Sequence, residues 1–194
     1  IIVFCLVTIK VSAIEKVILF GDSLMAGYGL PNEQHLSVVL QRSLEFDGHN
    51  IKIINGSVSG STSAGGLNIA EWTLSENNID LMILCLGAND MLRGINPKET
   101  KNNLEEIIQI AKNKNIKVII AGMIAPTSYG FAYKKSFDKI FSDLSKKHKL
   151  QLIPFLLEGV AQNPKFNLSD GMHPNDQGTI IIGNTLKKAI LENL

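Results

Sequence analysis

Apolar residues along the chain gather in short unbroken runs rather than in strict alternation. KVILF (16–20), IKII (51–54), LMILCL (81–86), KVIIAGM (117–123) and LQLIPF (150–155) lack the regular polar positions of a strand with one wet face. Such runs fit strands covered on both faces, the condition of a parallel sheet between two helix layers. Between the runs the period changes. Leu36, Val39, Leu40 and Leu44 fall on one helical face, as do Leu104, Ile107, Ile108 and Ala111. The second of these helices carries a start signal: Asn96 as cap, Pro97 at the first position, Glu99 two further on. Tyr133, Phe137, Ile140, Phe141 and Leu144 repeat the pattern, and Ile182, Leu186, Ala189 and Ile190 close the chain with another stripe.

Strand alternating with helix predicts an open, doubly wound α/β domain, a three-layer α/β/α sandwich around a five-stranded parallel sheet. No Pro- or Ser-rich linker, internal repeat or low-complexity tract divides residues 14–194, which read as one domain. Residues 1–13, IIVFCLVTIKVSA, differ. This run is apolar but too short to span a bilayer, and it ends in the small residues Val11, Ser12 and Ala13. It fits the hydrophobic region and cleavage site of an export signal, with a mature start near Ile14 and a periplasmic or secreted destination.

Composition narrows the partners. With 194 residues and 45% hydrophobic content, the chain can bury one substantial core. Nineteen basic against eighteen acidic residues leave a formal charge of +1, with no block of one sign. That balance gives no footprint for nucleic acid or an anionic membrane surface, and no stable membrane insertion is expected. Of the two cysteines, Cys5 lies in the signal-like run and Cys85 inside an apolar strand run, so neither an internal disulfide nor a cysteine metal site is expected.

In open α/β sheets ligands bind beyond the carboxyl ends of the strands, so the segments after each run carry the chemistry. After the first comes Gly21-Asp22-Ser23: the glycine permits a tight exit, and a serine there exposes its hydroxyl beside the N–H groups of a helix start. The ordinary reading is that Asp22 or Ser23 merely caps that helix. After the second comes NGSVSGSTSAGGL (55–67), in which Gly60 leaves its amide unobstructed, although a flexible Ser/Gly loop would look the same. After the third comes LGANDMLRG (86–94), where Asn89 is a neutral side-chain donor suited to an oxyanion and Asp90 and Arg93 read as loop-holding residues.

Near the C-terminus, SDGMHPNDQG (169–178) sets Asp170 three residues before His173, across a glycine turn that can return the carboxylate to the imidazole. His35, His49 and His148 lie in helical or polar surface contexts instead. Each segment is weak alone. Together, Ser23, His173, Asp170 and the Ser23, Gly60 and Asn89 donors form a complete acyl-transfer set.

These residues also carry a family likeness. The blocks GDSLMAGYG, NGSVSGSTS, LGANDMLRG and DGMHPN resemble, in order and relative spacing, those of the SGNH (GDSL) hydrolases. ANDMLRG, SYGFAYKKSF (128–137) and IPFLLEGV (153–160) are similar to the bacterial type-I acyl-CoA thioesterase, lysophospholipase and arylesterase branch. The resemblance implies a flavodoxin-like fold, Ser23 as nucleophile, Asp170 and His173 as the rest of a triad, and Ser23, Gly60 and Asn89 as the oxyanion hole. It further implies small acyl-ester or thioester substrates, no cofactor or metal, a monomer, and an acyl pocket shaped by the loop holding Ile124 and Pro126. Ser61 and MIAPTSYG (123–130) depart from the branch at positions tied to acyl preference. Met25, Leu30, Leu92 and Phe131 are further candidates to line an acyl groove. Two other readings stay open: a carbohydrate O-acetyl esterase, and a phosphate- or nucleotide-binding module of the same fold.

Overall fold

The computed structural model describes residues 14–75 and 78–194, so the export-signal expectation for residues 1–13 lies outside the described residues. The five apolar runs form one parallel sheet: β1 (Lys16–Gly21), β2 (Lys52–Asn55), β3 (Leu81–Cys85), β4 (Lys117–Ala121) and β5 (Gln151–Ile153), in the order β2-β1-β3-β4-β5. Every residue of β3 is buried, as is each residue of β1 after Lys16, which explains the unbroken hydrophobicity of both runs. Each fully buried Leu, Ile or Phe in such a layer contributes about 1.5–3 kcal/mol.

Helices α2 (Leu36–Phe46) and α7 (Asp176–Leu191) pack together on one side of the sheet. The other side carries α3 (Ser63–Thr73), α5 (Pro97–Asn113) and α6 (Phe131–His148), packed in sequence. Right-handed crossovers set α2 apart from α3, α5 and α6, because the chain moves one way from β1 to β2 and the other way from β2 through β3 and β4 to β5; α7 follows the last strand and returns to pack on α2. Leu40, Leu44, Leu104, Ile107, Ile108, Phe137, Ile140, Leu144, Ile182 and Leu186, all from the helical stripes, are buried. Asn96 caps α5 by accepting the Lys98 N–H, with Pro97 at the first position, as its sequence signals require.

The sequence underestimates helix in two places. Ser63 opens α3 inside what reads as a Ser/Gly loop, because the Thr62 hydroxyl accepts the Gly65 N–H as a cap. Within LGANDMLRG a short helix, α4 (Ala88–Leu92), replaces a plain turn. Both helices begin beside the point where the strand order reverses, between β1 and β3. A doubly wound sheet opens its binding crevice there.

Candidate active site

β1 ends where two strands come unusually close. Gly21 pairs with Cys85, and a Cβ on Gly21 would stand 2.7 Å from the Cys85 carbonyl oxygen, so only glycine fits the exit. Asp22 then caps the short helix α1 (Ser23–Ala26) by accepting the Leu24 N–H at 3.1 Å. Because Asp22 takes the capping role, the Ser23 hydroxyl is left for another partner. That partner is His173, whose Nε2 lies 2.9 Å from Ser23 Oγ.

His173 is fixed from its other side by the turn that precedes it. Asp170 Oδ1 accepts the backbone N–H groups of Met172 at 2.9 Å and His173 at 3.0 Å, and its Oδ2 lies 2.7 Å from His173 Nδ1. These two backbone bonds, with help from the imidazole, pull the Asp170 carboxyl down to about 2. An ionised carboxylate only accepts, so Nδ1 carries the proton and Nε2 presents a lone pair to Ser23. The ring of Tyr28 leans on the imidazole, centroids 4.4 Å apart and planes 37° apart. The set can move a proton from Ser23 Oγ to Nε2 and hold the resulting imidazolium.

The Gly60 and Asn89 segments are tied to the same place. After β2 the chain keeps pairing with the end of β1, through Gly56 N–H to Leu19 O at 2.9 Å and Val58 N–H to Gly21 O at 3.0 Å. A turn closed by Ser61 N–H to Val58 O follows, with Gly60 at its third position and a φ of +79°, the requirement of a type II turn. Arg93 donates to the Gly60 carbonyl at 3.1 Å. Fully buried Asp90 accepts from the Ser63 N–H at 2.7 Å, from the Ser63 hydroxyl and from Thr100 Oγ1 at 3.1 Å. Asp90 and Arg93 thus hold the loop after β2 against α4 and α5; the sequence reads them as structural, but as holding their own loop after β3. Asn89, near the start of α4, donates through Nδ2 to Asp22 Oδ2 at 3.3 Å.

Asp22 is 1% exposed, and burial pushes its carboxyl up to about 6 against the lowering effect of the Leu24 and Asn89 bonds. Sequence reasoning treated Asp22 as a cap alone; its bond to Asn89 spans 67 residues and leaves no local trace. It also passed over Tyr28, whose only signal is its place between Gly27 and Gly29, both at positive φ.

Ile124 and Pro126 are exposed on the loop after β4, at the same sheet edge. Asp138 accepts the Ala125 N–H at 2.9 Å while Lys134 donates to the Ala125 carbonyl at 2.7 Å, so α6 grips both polar groups of the residue between them. Leu92 and Phe131 are exposed as well, whereas Met25 is fully buried against Gly21 and cannot line a groove. His35 and His148 bind Leu30 O and Glu105, structural uses of the kind expected. Among the described residues no group of three or more His, Cys, Asp and Glu side chains could hold a metal ion, and no helix is long and apolar enough to cross a membrane.

Residues 19–179, which carry the whole of this constellation, match the model of the GDSL-like lipase/acylhydrolase family. The chain belongs to that family. This SGNH hydrolase is 35% identical to an arylesterase of Vibrio mimicus over 191 residues, 98% of this chain and 95% of the relative. It is 35% identical to esterase TesA of Pseudomonas aeruginosa over 84% of this chain and 81% of that one. Among solved structures, TesA superposes with a TM-score of 0.87 at 32% identity, covering 93% of this chain and 100% of the other. A psychrotrophic esterase, EstA of Pseudoalteromonas sp., inhibited by monoethylphosphonate, gives 0.87 at 28% identity over 92% and 97% of the two chains. The enzyme is an ester-hydrolysing GDSL hydrolase with the five-stranded α/β fold of that family.

Proposed function

We propose that the enzyme is a serine esterase and thioesterase in which Ser23 is the nucleophile, His173 the general base and Asp170 the residue that orients it. The observation that carries this reading is the unbroken line from Ser23 Oγ to His173 Nε2 at 2.9 Å and from Nδ1 to Asp170 at 2.7 Å, formed across 150 residues of sequence. Nδ1 is protonated by that arrangement, so Nε2 takes the Ser23 proton as Oγ bonds to the substrate carbonyl carbon. Negative charge then falls on the carbonyl oxygen, where the Ser23 and Gly60 backbone N–H groups and one Asn89 N–H stabilise it. As the first helical residue of α1, Ser23 has no helical carbonyl to take its own N–H.

Collapse of the adduct breaks the bond to the alcohol or thiol, which leaves with the proton from Nε2. Water, deprotonated by the same imidazole, attacks the acyl-enzyme and releases the acid. Relatives are named arylesterase and thioesterase/lysophospholipase, which supports aryl esters, lysophospholipids and acyl thioesters as the substrate range. The acyl chain would run along the loop of Ile124 and Pro126, fixed in place by Lys134 and Asp138.

Two measurements test the reading. A phosphonate ester should add covalently to Ser23, located by mass spectrometry; a label elsewhere overturns the assignment. An acyl-chain series run in parallel on thioesters, oxygen esters and acetylated sugars should favour the first two classes over the third.

A further inference from the structure

An asparagine that stabilises an oxyanion has to present N–H rather than C=O, and the two ends of its amide have nearly the same shape. Rotating the group by half a turn would aim a carbonyl lone pair at the developing charge. The surroundings of Asn89 must therefore choose the end. Its Nδ2 donates to Asp22 Oδ2 at 3.3 Å.

Asp22 is well placed to make that choice. Its Oδ1 is committed to the Leu24 N–H at 3.1 Å as the cap of α1, which fixes the carboxylate and turns Oδ2 towards the end of β3 and the start of α4. Gly21, with no side chain, lets the two strand ends approach closely enough for the bond to form. Asn or Ser would cap α1 about as well, without a buried charge beside a developing oxyanion. What they lack is one-sidedness: a hydroxyl or an amide can donate as well as accept, whereas an ionised carboxylate accepts only. It binds the NH₂ end of Asn89 and repels the carbonyl end.

We propose that Asp22 is a positioning residue that holds one N–H of Asn89, fixes the orientation of the amide and so keeps the second N–H aimed at the oxyanion. This rests on the reading of Asn89 as an oxyanion donor. The balance of forces on Asp22 supports it: burial raises its carboxyl to about 6, and the bonds from Leu24 and Asn89 and the nearby His173 oppose that rise, so the group is ionised at neutral pH. Asp90 adds a small push in the raising direction.

The test is a double-mutant cycle on a p-nitrophenyl ester at neutral pH, with kcat and KM measured separately. Asp22→Asn keeps size and cap but lets the Asn89 amide turn over, and should lower kcat about 10–100-fold with KM within about twofold. This is less than the 10²–10³ expected for removing an oxyanion donor. In an Asn89→Ala background the same substitution should change kcat by less than about twofold. Asp22→Ser, also a cap, should behave like Asp22→Asn and replaces it should that variant fold poorly. Equal losses in both backgrounds, an effect confined to KM, or an unchanged kcat would each overturn the proposal. Covalent labelling of Ser23 by a phosphonate in the Asp22 variants separates the outcomes: labelling with unchanged kcat sinks this inference alone. Loss of labelling in Ser23→Ala combined with full hydrolysis sinks the underlying assignment.

Discussion

Asp170 sits on a surface loop with a third of its side chain exposed, while Asp22 lies 1% exposed at the mouth of the sheet. Both are carboxylates near His173, yet one is pulled down to about 2 and the other pushed up to about 6. The difference lies in donors against burial. Asp170 gathers two backbone N–H groups and an imidazole in a solvated turn, so its charge is stabilised by neighbours and water alike. Asp22 has two N–H partners and almost no water. The same side chain is comfortable in one place and strained in the other, and the strain falls where an amide has to be oriented.

The largest effects break the comparison by removing what both carboxylates serve. Ser23→Ala should lower kcat for a short p-nitrophenyl ester by about 10⁴-fold or more while the melting temperature stays within a few degrees. Next comes Asp170→Asn, which removes the acceptor that sets the imidazole tautomer and should lower kcat by about 10³–10⁴ with little change in stability. Hydrolysis rates beside melting curves decide both. A loss of activity matched by unfolding would show the loop to be structural instead.

Stability separates the two carboxylates more sharply than activity does. For Asp22 the folded-state value lies above the ordinary 3.8, so between 3.8 and about 6 the folded chain holds a proton that the unfolded chain releases. Its contribution to stability therefore improves as pH falls through about 6 and levels off below 3.8. At neutral pH the buried charge destabilises the fold by on the order of 2–3 kcal/mol. Asp22→Asn should accordingly raise the melting temperature at pH 7 by about 4–12 °C, less at pH 4, even as kcat falls. Asp170 has the opposite sign: its folded value is depressed, so its contribution is present above 3.8 and fades as pH drops towards 2. Asp170→Asn should leave the melting temperature at pH 7 nearly unchanged, because the group is partly solvated. Melting curves from pH 2 to 8 for the three proteins test the pair of signs, Asp22 between about 6 and 3.8 and Asp170 below 3.8.

The smallest expected effect concerns the ring against the imidazole. Tyr28→Ala should lower kcat several-fold by freeing His173, and Tyr28→Phe, which keeps the face, should stay within about twofold of the parent. Loss in both variants would assign the role to the hydroxyl.

How much of this was legible beforehand follows from the range of each signal. The sheet, the buried helix faces and the Asn96 cap are set by neighbours within a turn or a strand, and the sequence displays them directly. Asp170 and His173 stand three residues apart, so their contact is visible as spacing. Ser23, Gly60 and Asn89 were legible as residue types at strand ends, and topology brings their segments to one edge. The Asp22–Asn89 and Asp90–Ser63 bonds span 67 and 27 residues between side chains that also make ordinary caps and turns, so nothing local distinguishes them. Met25 misled because an apolar residue after a strand end fits a groove as well as a core, and only the tight Gly21 corner excludes the groove.

The distance along the chain between hydroxyl and imidazole has a further consequence. The serine is made with the first strand, but the histidine hydrogen-bonded to it, the proposed base, comes 150 residues later, just before the closing helix. A partly synthesised chain thus carries a harmless alcohol, and competence arrives at a stroke when the last segment docks. A chain ended before residue 173 should therefore show no turnover whatever helical signal it keeps, which ties catalysis to completion of the chain.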